Sequence, residues 1–322
     1  MERKTWVNVR GAAVLGVVLI HITGLYMSQG SGGSGDALYL TLNQLSRFAV
    51  PVFFVASGYG LTISHSYTGN LVTYYRKRLK LVPAYLIWTF VYLIVNHANW
   101  TLKSIIGGIF LGNSSYHMYF ITVLIVFYLI YPMLYKFCAT YMGISVVLLI
   151  TLAGQALFLS GSTFGTPYFW NWIFYFGFGI FMARGNHSVF FLKHSEALLV
   201  LGLVAILGTS FYFKYFSNND LSLVTTSMRP AVILYTIGVV AYMLTRFPKP
   251  FKVFSILDDN SLNIYYVHPI MLAFIQKVLQ GTAVKNFGAF LIMLGFVLIT
   301  SLLFSIGYKW VTQKIHYFSH GW

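Results

Sequence analysis

The chain is predicted to be an all-α, polytopic membrane protein with about ten transmembrane helices and both termini cytoplasmic. Three observations predict this. Of the 322 residues, 58% are hydrophobic and only 8% are charged, whereas a soluble domain carries about 25% charged residues. The apolar residues fall into runs close to the roughly 20 residues a helix needs to cross a bilayer. The basic residues are sided. With the amino terminus inside, fourteen of the 21 Lys and Arg fall on the cytoplasmic face and only Lys103, Lys214, Lys277 and Lys285 fall outside. Such a bias sets orientation. It also accounts for most of the net charge of +15, so nucleic acid is not an implied partner. The lipid bilayer is, and the chain reads as one transmembrane domain over 1–322 with no appended soluble domain.

Taken in order, the first span covers 7–27 and contains the run Gly-Ala-Ala-Val-Leu-Gly-Val-Val-Leu-Ile after Arg10. It is too long, and too poor in a small-residue cleavage site, to be a removable signal peptide. Gly30 to Asp36 has flexible-linker composition. The span 38–64 carries Arg47 and Pro51, and a basic turn at Arg76, Lys77, Arg78 and Lys80 precedes the span 81–97. Ser104 to Gly112 is apolar but too short to cross, so it is read as re-entrant or interfacial. Spans at 117–135, 143–160, 170–184, 196–214, 229–246, 255–279 and 287–308 complete the count. No internal repeat is evident, which disfavours inverted-repeat transporter folds. Cys138 is the only cysteine, so no intrachain disulfide or thiolate cluster can form.

The polar residues left inside the spans carry the functional information, because a bilayer charges heavily for an arginine. Arg10 and His21 lie eleven residues apart in the first span. Eleven helical steps come to about three turns, so both project from one face, about 16 Å apart along the axis. One is a fixed cation near the surface and the other a titratable base at depth. Arg47 lies about 13 Å below the outer start of its helix, beyond easy snorkelling. The six acidic residues, Glu2, Asp36, Glu196, Asp220, Asp258 and Asp259, all sit near ends or loops. A paired-carboxylate mechanism or a Ser-His-Asp triad is therefore not indicated. His65, His97, His187, His194, His316 and His320 fall at loops or ends without metal-ligand grouping, so no metal site is assigned.

Several segments resemble the acyltransferase 3 family of integral membrane O-acyltransferases. The Arg10-x10-His21 spacing is similar to that family's first helix. Arg47-Phe-Ala-Val-Pro51-Val-Phe-Phe-Val-Ala-Ser57-Gly58-Tyr59, the basic turn through Pro83 and Tyr85, Tyr116-His117-Met-Tyr-Phe120 and Ser261-Leu-Asn-Ile-Tyr265-Tyr-Val-His268-Pro269 follow in family order. Each segment alone is weak, and five in order from residue 10 to 269 are specific. Asn171-Trp-Ile-Phe-Tyr-Phe-Gly177-Phe-Gly179 resembles the subgroup containing intercellular adhesion protein C, which acts on exported polysaccharide.

The resemblance implies movement of an acetyl (or succinyl) group from cytoplasmic acyl-CoA to a hydroxyl of an extracytoplasmic cell-surface glycan, in the bacterial plasma membrane. Acyl-CoA, acetyl-CoA foremost, is then a co-substrate, with no permanently bound cofactor. Polysaccharide synthesis machinery, or a separate extracytoplasmic acyltransferase, is an implied partner. Acyl transfer to a hydroxyl needs a base for the alcohol proton and a donor for the developing oxyanion. His21 is read as base or transient acyl carrier, and Arg10 as a contact for CoA phosphate or thioester rather than a mere interfacial anchor.

Arg47 is read as a donor to the acyl carbonyl or acceptor glycan, against a structural cation bound to helix-end carbonyls, His268 as a second base, acceptor contact or packing histidine, and His117 as an acceptor-side residue. Arg229 is read as a glycan contact or anchor. Arg78, with Arg76, is the reading for CoA phosphates, against anionic lipid. The competing reading is a transporter or flippase for a polysaccharide or lipid-linked glycan, in which buried cations would face a substrate cavity.

Overall fold

Eight segments are helical, long and apolar enough to cross a membrane in this computed structural model, which describes residues 3–28, 35–97, 100–216, 221–279 and 287–319. The chain is all-α, and no strand occurs among the described residues. The helices are α1 (Val7–Ser28), α2 (Gly35–Leu45), α3 (Ala49–Ile63), α4 (Leu71–Arg78), α5 (Leu81–Val95) and α6 (Leu102–Leu111). Then follow α7 (Tyr119–Phe137), α8 (Tyr141–Leu159), α9 (Ile173–Met182), α10 (His187–Lys193) and α11 (Ser195–Phe216). The chain continues through α12 (Leu221–Thr225), α13 (Pro230–Arg246), α14 (Lys252–Asp259), α15 (Ser261–Val278) and α16 (Phe287–Ser319). Most of the Gly30 to Asp36 linker lies outside the described residues.

The expected ten spans become eight of full length, and two of the differences shape the interior. The stretch 170–184 does not form one long helix. It forms a short 3-10 turn and then α9, ten residues long, which at 1.5 Å per residue covers about 15 Å. Every residue of α9 is buried. A helix enclosed by protein does not have to match the bilayer, and its apolar run is satisfied by neighbours rather than lipid. The stretch 255–279 is likewise two pieces, α14 and α15, parted at Asn260.

The stretch 38–64 is also broken, at Ser46, Arg47 and Phe48 between α2 and α3. Here the backbone tightens to three-residue steps: Ser46 N–H donates to Asn43 O at 3.2 Å and Arg47 N–H to Gln44 O at 3.0 Å. Pro51 has no N–H for the Arg47 carbonyl, which loosens the turn further. The break therefore follows from a proline and two polar side chains inside an apolar run, and it holds Arg47 in the protein interior.

Close backbone approach locks α9 into place. A Cβ on Gly58 of α3 would lie 2.1 Å from the Phe176 carbonyl oxygen, and one on Gly179 would lie 2.0 Å from that of Val55. Small residues at a crossing let two helices approach this closely inside a membrane. The main core gathers α3, α7 and α9 around Phe54, Phe127, Tyr131, Trp172 and Phe176. A second apolar cluster joins α1 to α15 and α16 through Ile22, Leu272 and Val297. Asn8 is buried and fixes the loop after α13 onto α1, donating to the Phe247 and Lys249 carbonyls at 2.8 Å each and accepting from Phe251 N–H at 2.8 Å.

Candidate active site

Three histidines from distant parts of the chain meet in the interior. His21 projects from α1, His117 sits just before α7, and His268 lies in α15. The His21 and His268 rings stack with centroids 5.2 Å apart, and the His117 ring stands edge-on to His268 at 5.5 Å. His117 and His268 are buried, at 3% and 0% exposure. Tyr116 packs on His21 at 4.7 Å, and Tyr265 on His117 at 5.1 Å. The Tyr265 hydroxyl donates to the His117 carbonyl oxygen, tying α15 to the segment that carries His117.

Two buried arginines flank this cluster without any carboxylate partner among the described residues. Arg47 donates through Nε and Nη2 to the Asn43 side-chain oxygen, at 2.8 and 2.5 Å, and reaches the Ser227 hydroxyl at 3.5 Å. Arg229 donates through Nη2 to the Gln44 side-chain oxygen and to the Ser210 hydroxyl at 2.9 Å. Gln44 in turn donates to Asn43 at 3.3 Å, which links the two arginines through neutral amides. Asn43 also donates to the Ile20 carbonyl and the Thr23 hydroxyl, one turn from His21. The site keeps its positive charge, because amides stabilise a guanidinium without neutralising it.

A row of cavities runs along α1. The largest, ≈ 490 Å³, lies at its amino-terminal end and is lined by Trp6, Arg10, Phe53, Ser57, Arg78 and Tyr128 among others. A slit of ≈ 10 Å³ follows, walled by Val14, Val17, Phe53, Ile264, Tyr265 and His268. Beyond it a cavity of ≈ 180 Å³ is lined by His21, Arg47, Tyr116, His117, Tyr119 and Tyr265. An outermost cavity of ≈ 280 Å³ shares Tyr116, Tyr119 and Thr166 with it. Phe53 is common to the first cavity and the slit, and Val17 and Tyr265 to the slit and the His21 cavity.

Arg10 and His21 therefore face different compartments of one row. Arg10 has a partner that the sequence left unassigned: Nε and Nη2 donate to the two Asp258 oxygens at 2.6 Å each. Arg78 donates to the Ser66 hydroxyl at 2.5 Å, and its buried Nε has no partner among the described residues. Arg76 is exposed and does not line the cavity that Arg10 and Arg78 share.

A deep imidazole beside unneutralised guanidinium groups can remove a proton from a hydroxyl and stabilise a developing oxyanion. Comparison with known proteins agrees with that chemistry, because the family model described as an acyltransferase domain matches residues 5–306. The chain belongs to the acyltransferase 3 family. It is similar to the probable poly-beta-1,6-N-acetyl-D-glucosamine export protein of Staphylococcus aureus strain MSSA476, with 23% identity over 264 residues, covering 74% of this chain and 73% of that protein. The counterpart from strain MRSA252 is 24% identical over 263 residues, with the same coverage. No solved structure matches the chain.

The structure brings six of the eight residues singled out in the sequence of this acyltransferase-family protein onto two places. His21, His117, His268 and Arg47 converge in the interior, and Arg10 and Arg78 converge at the amino-terminal end of α1. Arg229 stands behind Arg47, linked to it through Gln44 and Asn43, and Arg76 stands apart. Sequence reasoning missed Asn43, Gln44, Asp258 and Tyr265. Asn43 and Gln44 had a usable signal, since adjacent amides inside an apolar run are costly unless partnered. Asp258 had none, because its pairing with Arg10 spans 248 residues.

Proposed function

We propose that this membrane acyltransferase-family protein takes an acyl group, acetyl in the first instance, from cytoplasmic acyl-CoA and transfers it to a hydroxyl of a cell-surface glycan outside the bacterial plasma membrane. The single observation that carries the reading is the cavity row along α1, with arginines at one end and the histidine cluster beyond a slit. In this reading both termini are cytoplasmic and the Arg10–Arg78 cavity opens to the donor side. Arg78, whose charge no acid balances among the described residues, meets CoA phosphate as a planar donor. Arg10, already paired with Asp258 through Nε and Nη2, shapes the cavity mouth and keeps its other N–H donors for a ligand. His21 lies in the cavity where an acceptor hydroxyl would stand, and Arg47 there is placed to stabilise the oxyanion.

The test is purified protein incubated with radiolabelled acetyl-CoA or succinyl-CoA and candidate glycans. Label in the glycan supports the reading. A folded sample that neither transfers acyl groups nor cleaves the thioester overturns it.

A second reading rests on a specific observation. The relatives are named as export proteins, and a pair of acid-free arginines beside a cavity also suits a transporter. Under transport, glycan export fails in an Arg47→Gln variant while acylation of glycan already outside persists. Under acyl transfer, export persists and acylation fails.

A further inference from the structure

The sequence leaves open whether His21 removes the acceptor's proton or carries the acyl group itself. His21 and His268 differ in surroundings in a way that bears on this choice. His268 Nδ1 lies 3.0 Å from the Ile264 carbonyl oxygen. A carbonyl oxygen only accepts, so Nδ1 carries the hydrogen, and in the neutral ring Nε2 holds a free lone pair. That Nε2 is buried and has no hydrogen-bond partner among the described residues. An unpartnered buried acceptor is costly unless a ligand or reaction uses it.

His268 also occupies a particular place in the cavity row. It walls the slit and is absent from the lining of the cavity beyond, whereas His21 lines that cavity. Phe53 stands in both the slit and the donor-side cavity. His117 Nε2 is also buried without a partner among the described residues, but His117 does not line the slit. It lines the far cavity, and its Nδ1 faces the Ser115 hydroxyl at 3.2 Å, a group that either donates or accepts. Its tautomer is therefore unfixed. The slit, at ≈ 10 Å³, is at the threshold for a single water, about 10–15 Å³. Water therefore has little room beside this imidazole, which limits hydrolysis of an acyl group bonded to it.

We propose that His268 is the nucleophile that takes the acyl group from the thioester, and that His21 is the base that activates the acceptor. This rests on the acyl-CoA reading above. The His268 Nε2 lone pair attacks the thioester carbonyl, forming a C–N bond as the C–S bond breaks. CoA leaves as thiolate, and the acyl-imidazolium keeps its Nδ1 proton. The acceptor hydroxyl then gives its proton to His21 while its oxygen attacks the acyl carbonyl. The C–N bond breaks and its electron pair returns to Nε2, leaving an O-ester. Protonated His21 and the CoA thiolate cancel by proton exchange through solvent. The 5.2 Å between the two rings sets donor and acceptor steps side by side.

The test uses the full-length chain in nanodiscs with radiolabelled acetyl-CoA, and succinyl-CoA as a second probe, without acceptor. CoA release is measured alongside, and the chain is digested for peptide mass analysis. The expected result is a hydroxylamine-labile acyl group on the peptide containing His268. His21→Ala is expected to accumulate that label and fail to discharge it when acceptor is added. His268→Asn keeps a donor toward the Ile264 carbonyl but has no nucleophilic nitrogen. It is expected to bind donor, take no label and lose transfer by about 100-fold or more.

Label on the His21 peptide, an unlabelled His21→Ala chain that still releases CoA, or His268→Asn transferring near the wild-type rate would each overturn the assignment while leaving acyl transfer intact. Wild-type protein that releases no CoA and acylates no glycan overturns the acyltransferase reading itself, and this assignment with it.

Discussion

Asn43 and Arg47 are one helical turn apart, and the single Asn43 side-chain oxygen accepts from both Nε and Nη2 of the arginine, at 2.8 and 2.5 Å. This contact is what makes a buried, acid-free guanidinium tolerable at the α2–α3 break. A hydrogen bond to a charged group contributes about 1.5–3 kcal/mol, and the whole amide is enclosed. Asn43→Leu is expected to lower stability by about 3 kcal/mol, read as a clear fall in unfolding temperature in detergent. Asn43→Asp restores the acceptor with a charge and is expected to recover the temperature. Equal stability of Asn43→Leu and wild type would show that Arg47 is held by something else.

Arg10 and Asp258 form the second polar anchor, with side chains 23% and 8% exposed. Removing one member of a largely buried pair leaves the other without compensation, at about 3–5 kcal/mol for full burial. Partial exposure of Arg10 reduces this to about 1–3 kcal/mol. Arg10→Met and Asp258→Leu are each expected to destabilise in that range, and the double variant is expected to be less damaged than the sum. A double-mutant cycle of unfolding free energies measures the coupling. A coupling near zero would mean that the contact holds α14 against α1 only incidentally.

How legible these contacts were in the sequence depended on their range. Arg10, His21, Arg47 and His268 stood out because polar residues inside apolar runs are rare and expensive. The depth reached by His268 also followed from helix direction, since α1 and α15 run the same way. The length of 170–184 did not follow, because apolar composition cannot say whether lipid or protein surrounds a helix. The break at Ser46 to Phe48 was half-legible, as Pro51 signals a missing bond but not where the chain tightens. Asp258 was illegible for a different reason: its partner is chosen by the docking of α14 on α1, a tertiary event.

The crossing of α3 and α9 separates two kinds of glycine. Gly179 has the Val55 carbonyl oxygen 2.0 Å from any added Cβ, whereas Gly60 has nothing within 4 Å. Gly179→Ala must push backbone aside, an overpacking that costs about 1–3 kcal/mol or more. Gly60→Ala is expected to stay within about 0.5 kcal/mol of wild type. Gly60 also lines the ≈ 490 Å³ cavity, so under the proposed function Gly60→Phe is expected to raise the KM for acyl-CoA at least several-fold in a folded protein. Unchanged KM would remove that cavity from the donor's path.

Under the proposed function, the cavity row separates the groups that each side of the membrane can reach. Ser64 lines the ≈ 490 Å³ cavity with Arg10 and Arg78, and Ser227 lines the ≈ 180 Å³ cavity with His21 and Arg47. The slit between them is at the limit for one water, so a bulky charged thiol reagent cannot pass. Cys138 is buried and can be replaced by serine to give a background without thiols. In that background, Ser64→Cys is expected to react with a membrane-impermeant maleimide only from the cytoplasmic face of oriented vesicles. Ser227→Cys is expected to react only from the opposite face, through the shared wall of the ≈ 280 Å³ outer cavity. Adding Phe53→Ala to the Ser227→Cys chain removes the ring common to the first cavity and the slit. It is expected to let a small thiol reagent applied on the cytoplasmic face reach the introduced thiol while the charged one remains excluded. Reaction of both introduced thiols from the same face in the single variants would contradict the compartments, and with them the separation of donor from acceptor.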